Sequence, residues 1–139
     1  KINNSPGRVL EEKYAKSRLP ESLKHSLAQK LDKLIHSEML HLKHDINLGY
    51  LSEKLNASKH DTSQLINNHY QMKFFDFINL HRVEHAKELL SSPANQTVKI
   101  NDLAIKCGFN NKVTFNNAFK KLTGMTATQF RKAQNRVKL

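Results

Sequence analysis

The sequence predicts an all-α protein, and three observations carry that prediction. Apolar residues recur at helical spacing, as at Leu23, Leu27, Leu31 and Leu34. No stretch alternates apolar and polar residues for long enough to form a half-buried strand. Only four glycines and three prolines interrupt 139 residues, of which 38% are hydrophobic, enough to bury a core. We therefore expect one compact helical chain of about 16.0 kDa.

Seven helices are predicted, each from its own signal. The Leu-rich periodicity gives a first helix at 21–43, and the apolar residues around Leu51 give a second at 47–55. Ser58 followed by Asp61 predicts the start of a helix over 58–69, and Thr126 followed by Gln129 predicts one over 126–136. An apolar run from Phe74 predicts a helix at 74–90, and the loop at 91–97 separates it from helices at 100–107 and 111–122.

Internal repetition predicts how these helices are organised. Leu51-Ser52-x₃-Asn56 recurs 52 positions later as Leu103-Ala104-x₃-Gly108, and Gln71-Met72-x₃-Asp76-Phe77 recurs after 53 positions as Gly124-Met125-x₃-Gln129-Phe130. A small residue followed four positions later by Asn or Gly suits a helix-turn-helix, in which the helices approach closely and the first one ends in a left-handed residue. Two such units are expected.

The repeat also predicts the organisation into domains and the packing anchors. The expected parts are a partly ordered lead-in at 1–20, an N-terminal helix and first helix-turn-helix at 21–73, a connecting helix at 74–90, and a second helix-turn-helix with a C-terminal helix at 91–139. Phe115 and Phe119 anchor the second unit, and Thr62 and Ile66 the first. Since Thr62 is polar, its hydroxyl is expected to bond back to its own helix, or the packing there to be weaker.

Charge is distributed unevenly along the chain. The formal net charge is +11, yet residues 21–97 are balanced, and residues 98–139 carry nine basic residues against one acidic residue. Such asymmetry is typical of a surface that binds a polyanion, nucleic acid above all, although a solvated basic tail would also produce it. No apolar stretch reaches the roughly 18 residues that a membrane span requires. A single cysteine excludes a disulfide framework within the chain, and a cytoplasmic location is expected.

These residues resemble the DNA-binding region of the AraC/XylS family of bacterial transcription regulators. The resemblance covers about residues 45–132 and is most specific over Ile100-Asn-Asp-Leu-Ala-Ile-Lys-Cys-Gly-Phe109, followed by Phe115, Phe119, Gly124 and Phe130. The sequence departs from the family pattern at Ala127, Gln71 and Thr62, where Pro, Gly and Leu are usual. The resemblance implies two helix-turn-helix units on a rigid helix, each inserting its second helix into the major groove, about one helical turn or roughly 34 Å apart.

Polar residues on the recognition helices are the expected base contacts. Residues matching the family's base-contacting positions are His60, Ser63, Gln64 and Asn67 in the first unit and Lys112, Thr114, Asn116 and Asn117 in the second. Amides suit adenine, Lys suits guanine, and a Thr methyl group suits thymine. Val113 is expected either to pack or to touch a methyl group. Phosphate contacts are expected from Lys120, Lys121, Arg131 and Lys132, each of which also fits an ordinary surface cation. Arg82 is expected to pair with an acid such as Asp102.

Other functions fit the sequence less well. The spacings of His81 with His85 and of His41 with His44 suit a metal, but no general base accompanies them, so surface histidines are expected instead. Cys107 is expected to pack rather than react. No catalytic constellation or cofactor motif is present, so neither an enzyme nor a cofactor is expected. The alternative to DNA binding is a basic helical adaptor for an acidic protein or membrane surface, which would not need amides at base-reading positions.

The resemblance also implies partners. The expected partner is an operator in double-stranded DNA, and regulators of this family imply RNA polymerase and a sensor or dimerisation region upstream of this chain. That upstream segment could attach the full-length protein to a membrane. No small-molecule ligand is expected within this fragment.

Overall fold

The computed structural model describes residues 19–138, with side chains as far as Arg136, and over that range the chain forms seven α-helices and no strand. The helices are α1 Glu21–Glu38, α2 Leu48–Leu55, α3 Lys59–His69, α4 Phe74–Ser91, α5 Ile100–Lys106, α6 Lys112–Thr123 and α7 Ala127–Lys138. The all-α prediction is confirmed. All but two residues of the predicted lead-in at 1–20 lie outside the described residues.

The predicted end of the first helix is wrong. Instead of continuing to residue 43, α1 ends at Glu38, where Met39 adopts a left-handed backbone with φ 54°. A short 3₁₀ turn, Leu40–Leu42, follows. The apolar spacing predicted a longer helix because Leu42 continues it. The spacing of apolar residues does not reveal a positive φ at a residue other than glycine, so the break at Met39 could not be predicted from it.

Two apolar cores lie along α4. Its N-terminal half contributes Phe77 and Ile78 to the first core, which also includes residues of α1, α2 and α3. Its C-terminal half contributes Val83, Ala86 and Leu90 to the second core, built with α5, α6 and α7. Because both cores pack on one continuous helix of 18 residues, α4 determines how the two halves are oriented.

The first helix-turn-helix unit consists of α2 and α3. Asn56 ends α2 in the expected left-handed conformation, with φ 56°. The Ser58 hydroxyl then accepts a hydrogen bond from the backbone N–H of Asp61 at 3.0 Å, which caps α3. Thr62 is only 1% exposed, and its hydroxyl donates to the Ser58 carbonyl oxygen at 2.8 Å. A polar residue is therefore accommodated at this anchor position by a bond to its own helix.

The second unit consists of α5 and α6 and is closed by α7. Gly108, with φ 96°, forms the turn, and the Asn111 side chain caps α6 by accepting from the Thr114 N–H at 2.8 Å. At the start of α7, Thr126 and Gln129 each accept a hydrogen bond from the other's backbone N–H, at 3.1 and 2.9 Å. The cap predicted from that spacing is thus a complete capping box.

Arg82 joins the two halves, but not through the acid expected from the sequence. Its Nε donates to the His41 carbonyl oxygen at 2.7 Å, and its Nη2 donates to the Lys43 carbonyl oxygen at 2.9 Å. Its guanidinium also lies 5.5 Å from the Phe109 ring centroid. The predicted Arg82–Asp102 pair is wrong, because the break after α1 leaves backbone carbonyls beside α4 that need buried donors.

Candidate nucleic-acid interface

The first recognition helix is α3, and its predicted base-reading residues lie on one side. His60 and Asn67 are exposed, and Ser63 and Gln64 are partly buried, whereas Leu65 and Ile66 face the core. The four predicted positions follow the i, i+3, i+4, i+7 spacing of a helix face. The Gln64 Oε1 atom accepts a hydrogen bond from the Asn68 Nδ2 atom at 3.1 Å. Asn68, which sequence reasoning did not single out, therefore helps to orient the Gln64 amide.

The second recognition helix, α6, is held by Phe115 and Phe119, both fully buried as expected. The predicted residues Lys112, Thr114 and Asn117 are exposed, and Asn116 is partly buried. No side chain in this set belongs to the core, so all remain available to a partner.

Val113 is more prominent on α6 than the sequence indicated. Its side chain is 68% exposed. Of the two predicted roles, packing in the core and contact with a thymine methyl group, packing is therefore wrong. Val113 shares one face of α6 with Asn117 and Lys120, which follow it by four and seven positions. An exposed valine in the first turn of a recognition helix is suited to contact a thymine methyl group. Helical phase relative to Phe115 and Phe119 was the signal that could have revealed it.

A concave surface connects the two recognition helices. One concavity of about 600 Å³ is lined by Asn67 at the end of α3 together with Met72 and Asp76. A second, of about 440 Å³, is lined by the same Met72 and Asp76 together with Asn117 and Lys121 of α6. We name this continuous surface, from Asn67 across Met72 and Asp76 to Asn117 and Lys121, the inter-helix groove. Predicted base-reading residues of both units therefore border one surface.

The predicted phosphate-binding residues differ in their exposure and in their hydrogen bonds within the chain. Lys120, Lys121 and Lys132 are exposed. Arg131 is partly buried, and its Nη1 donates to the Asn95 carbonyl oxygen at 3.2 Å and to the Val98 carbonyl oxygen at 2.6 Å. Arg131 thus ties α7 to the loop after α4, a role that sequence reasoning did not assign to it.

Of the four histidines expected on the surface, His44 is exposed as expected, His81 and His85 are only partly buried, and His41 is buried. His41 is 5% exposed, and its ring lies 5.9 Å from the rings of His81 and His85, which are partly buried. Burial, together with the neighbouring histidines and Arg82, lowers the pKa of His41 to about 4, so the ring is neutral at pH 7. Within residues 19–138, no three His, Cys, Asp or Glu side chains are arranged to hold a metal ion.

Cys107 packs in the second core, as expected. It is fully buried, and burial raises the pKa of its thiol to about 12. A thiol that stays protonated in an apolar environment is a poor nucleophile.

Comparison with known proteins agrees with this architecture. A family model described as a helix-turn-helix domain matches residues 51–133. The chain is similar to the uncharacterized HTH-type transcriptional regulators SACOL0084 and SAS0078 of Staphylococcus aureus strains COL and MSSA476, each 34% identical over 92 residues. Those residues are 66% of this chain but only 12% of each relative, so the chain spans a small part of the relatives' length.

Solved structures of regulator domains have a similar fold. The C-terminal domain of AraT, a response regulator from Geobacillus stearothermophilus, is 26% identical with a TM-score of 0.62, covering 84% of this chain and 88% of that one. The C-terminal domain of the two-component response regulator yesN from Fusobacterium nucleatum is 28% identical with a TM-score of 0.63, covering 75% and 96%. The DNA-binding domain of AdpA, solved with a target DNA, shares the fold at 19% identity with a TM-score of 0.66, covering 79% and 93%.

The chain has two helix-turn-helix units packed on one shared helix, and this fold places it among the helical domains of transcription regulators. Within that class, the chain belongs to the AraC family and comprises its helix-turn-helix region, as the sequence predicted. Its homologues are regulators rather than enzymes. No helix in the described part of the chain is long and apolar enough to cross a membrane.

Proposed function

We propose that this domain binds double-stranded DNA sequence-specifically in bacterial transcription regulation, with α3 and α6 inserted into successive major grooves on one side of the duplex. The observation that carries the proposal is the inter-helix groove, because Asn67 of α3 and Asn117 of α6 border the same concave surface. A rigid α4 between them suits two adjacent groove contacts spaced by about one helical turn of DNA.

Base recognition is assigned to the exposed polar residues of both helices. Gln64, held by Asn68, and Asn117 present amides that can bond bidentately to adenine. Lys112 is suited to guanine, Thr114 and Val113 to thymine methyl groups, and His60, Ser63, Asn67 and Asn116 to single hydrogen bonds. The mixture of amides and apolar contacts favours a sequence-specific partner over a purely electrostatic one.

Phosphate binding is assigned to Lys120, Lys121 and Lys132. All three are exposed and lie on or after α6, within the most basic third of the chain. Their contacts would increase affinity without choosing a sequence and would make it fall steeply with salt. Arg131 could add a contact through the part of its guanidinium that does not bond to the loop.

Selection of bound duplexes from a random pool tests the proposal. We expect a two-part sequence whose halves lie about one helical turn apart. Fluorescence anisotropy with the selected duplex should then show that Gln64→Ala and Asn117→Ala each weaken binding by about tenfold, with a smaller effect on random DNA.

Gln29→Ala is the matched control, because it removes an exposed amide from α1, a helix to which no DNA contact is assigned. It should leave affinity unchanged. Equal affinity for selected and random duplexes, with all three variants unchanged, would contradict sequence-specific reading and favour a basic adaptor surface instead.

The partners outside this chain are also proposals. Operator DNA would be bound in the cytoplasm, and regulation would require contact with RNA polymerase and a sensor or dimerisation region elsewhere in the full-length protein.

A further inference from the structure

Asp76 is an acidic residue within the proposed DNA-binding surface. It lies in the first turn of α4 and lines both concavities of the inter-helix groove. Its side chain is exposed, and within the described part of the chain it forms neither an ion pair nor a side-chain hydrogen bond. Lys73 lines one of these concavities with it, and Lys121 lines the other.

The position of Asp76 determines which part of DNA it would meet. When two recognition helices occupy successive major grooves on one side of a duplex, the segment between them presents the minor groove and its two phosphate strands. The middle of the inter-helix groove would therefore face phosphates. A carboxylate there faces like charges, and it also offsets the attraction of the two lysines that share the groove.

We propose that Asp76 limits the affinity of this domain for DNA by repelling the backbone between the two major-groove contacts. This inference rests on the proposed DNA binding and adds a residue that opposes it. Because phosphates are the same in every sequence, the repulsion weakens binding to operator and random duplexes alike. Tight binding then requires base contacts from both recognition helices, and the domain is released more readily from other DNA.

Asp76→Asn removes the charge and keeps the shape of the side chain. We expect affinity at low salt to rise by about threefold or more for both selected and random duplexes, and log affinity to fall more steeply with log salt. Asp76→Glu keeps the charge and should behave like the wild type. Thermal unfolding of each variant reports whether loss of a first-turn carboxylate affects the fold itself.

Glu88→Gln is the matched control. It removes the same charge from the same helix, but Glu88 lines a different cavity, beside His81 and His85. Its effect on affinity should be small, because its charge lies outside the inter-helix groove.

The outcomes separate this inference from the proposed function. If the wild type binds no duplex, the proposed function fails. If it binds and Asp76→Asn matches Glu88→Gln, only this inference is overturned. It is overturned as well if Asp76→Asn weakens binding to the selected duplex and not to random DNA, because the carboxylate would then accept a hydrogen bond from a base.

Discussion

Gly108 lies where the turn of the second helix-turn-helix unit meets the 3₁₀ turn after α1. A Cβ atom at this position would lie 2.7 Å from the His41 carbonyl oxygen and 2.9 Å from the Arg82 Nε, and the backbone φ is 96°. From the sequence, the only requirement predicted for a glycine at this position was a left-handed backbone. The second requirement, close approach of another chain segment, could not be predicted because it depends on tertiary packing.

Gly108→Ala should therefore be strongly destabilising. We expect the free energy of unfolding, measured in urea, to fall by about 3 kcal/mol, from left-handed strain together with steric overlap. Gly124→Ala is the control, because Gly124 also has a positive φ, 81°, but a Cβ there would meet no atom within 4 Å. It should cost only about 1 kcal/mol. Equal losses in the two variants would show that the close contact contributes nothing.

The buried His41 predicts how stability depends on pH. Burial lowers the pKa of His41 from its ordinary value of 6.5 to about 4, so the folded chain binds fewer protons than the unfolded chain between those two pH values. The contribution of neutral, buried His41 to the free energy of unfolding is therefore fully present above about pH 6.5 and is lost as the pH falls toward 4. The neighbouring groups are His36, His81, His85, Arg82, Glu84 and Glu88.

Urea unfolding at a series of pH values measures this effect. The wild type should lose up to about 3 kcal/mol between pH 6.5 and pH 4 through His41. His41→Phe should reduce that slope, whereas substitution of the exposed neighbour His44 by Gln should not. A slope that is the same in the wild type and in His41→Phe would contradict the assignment.

At the scale of elements, the connection between the two units depends on α4 and on the segment after α1. Arg82 donates to two backbone carbonyl oxygens of that segment, so α4 is fixed to it as well as to both cores. Sequence reasoning assigned Arg82 a structural role but the wrong partner. The break after α1 has no sequence signal, so the backbone carbonyl oxygens that it leaves beside α4 could not be predicted as partners.

Arg82→Met tests this connection, because it keeps much of the aliphatic stem and removes both donors. We expect the free energy of unfolding to fall by about 2–4 kcal/mol, since buried carbonyls lose their partners. Asp102→Asn, which alters the acid first expected to pair with Arg82, should change it by less than about 0.5 kcal/mol. A double-mutant cycle showing strong coupling of Arg82 with Asp102 would contradict the observed contacts.

The helices themselves were largely predictable from sequence. Helix starts with capping residues, such as Ser58 and Thr126, were placed within one residue of their observed positions, because capping chemistry is local. The end of α1 was not, since Met39 gives no local signal. The groove and its acidic residue Asp76 were not predictable either, because they arise where α4 and α6 pack together.

At the scale of the whole molecule, the two helix-turn-helix units form one body. They share α4, Arg82 bonds across it, and Gly108 of the second unit contacts the turn after α1. A rigid arrangement of this kind fixes the distance between the recognition helices. It therefore predicts a fixed spacing between two halves of a DNA site, which a flexible linker would not impose.

A spacing series in the selected duplex tests this central claim most directly. Anisotropy titration would measure the affinity of one chain for duplexes in which 0, 5 or 10 base pairs are inserted between the two halves. The insertions of 5 and 10 base pairs should each reduce affinity to that of a single half-site. The first moves one half to the opposite side of the duplex, and the second moves it about 34 Å away. Affinity that is unchanged by the insertions would contradict this claim.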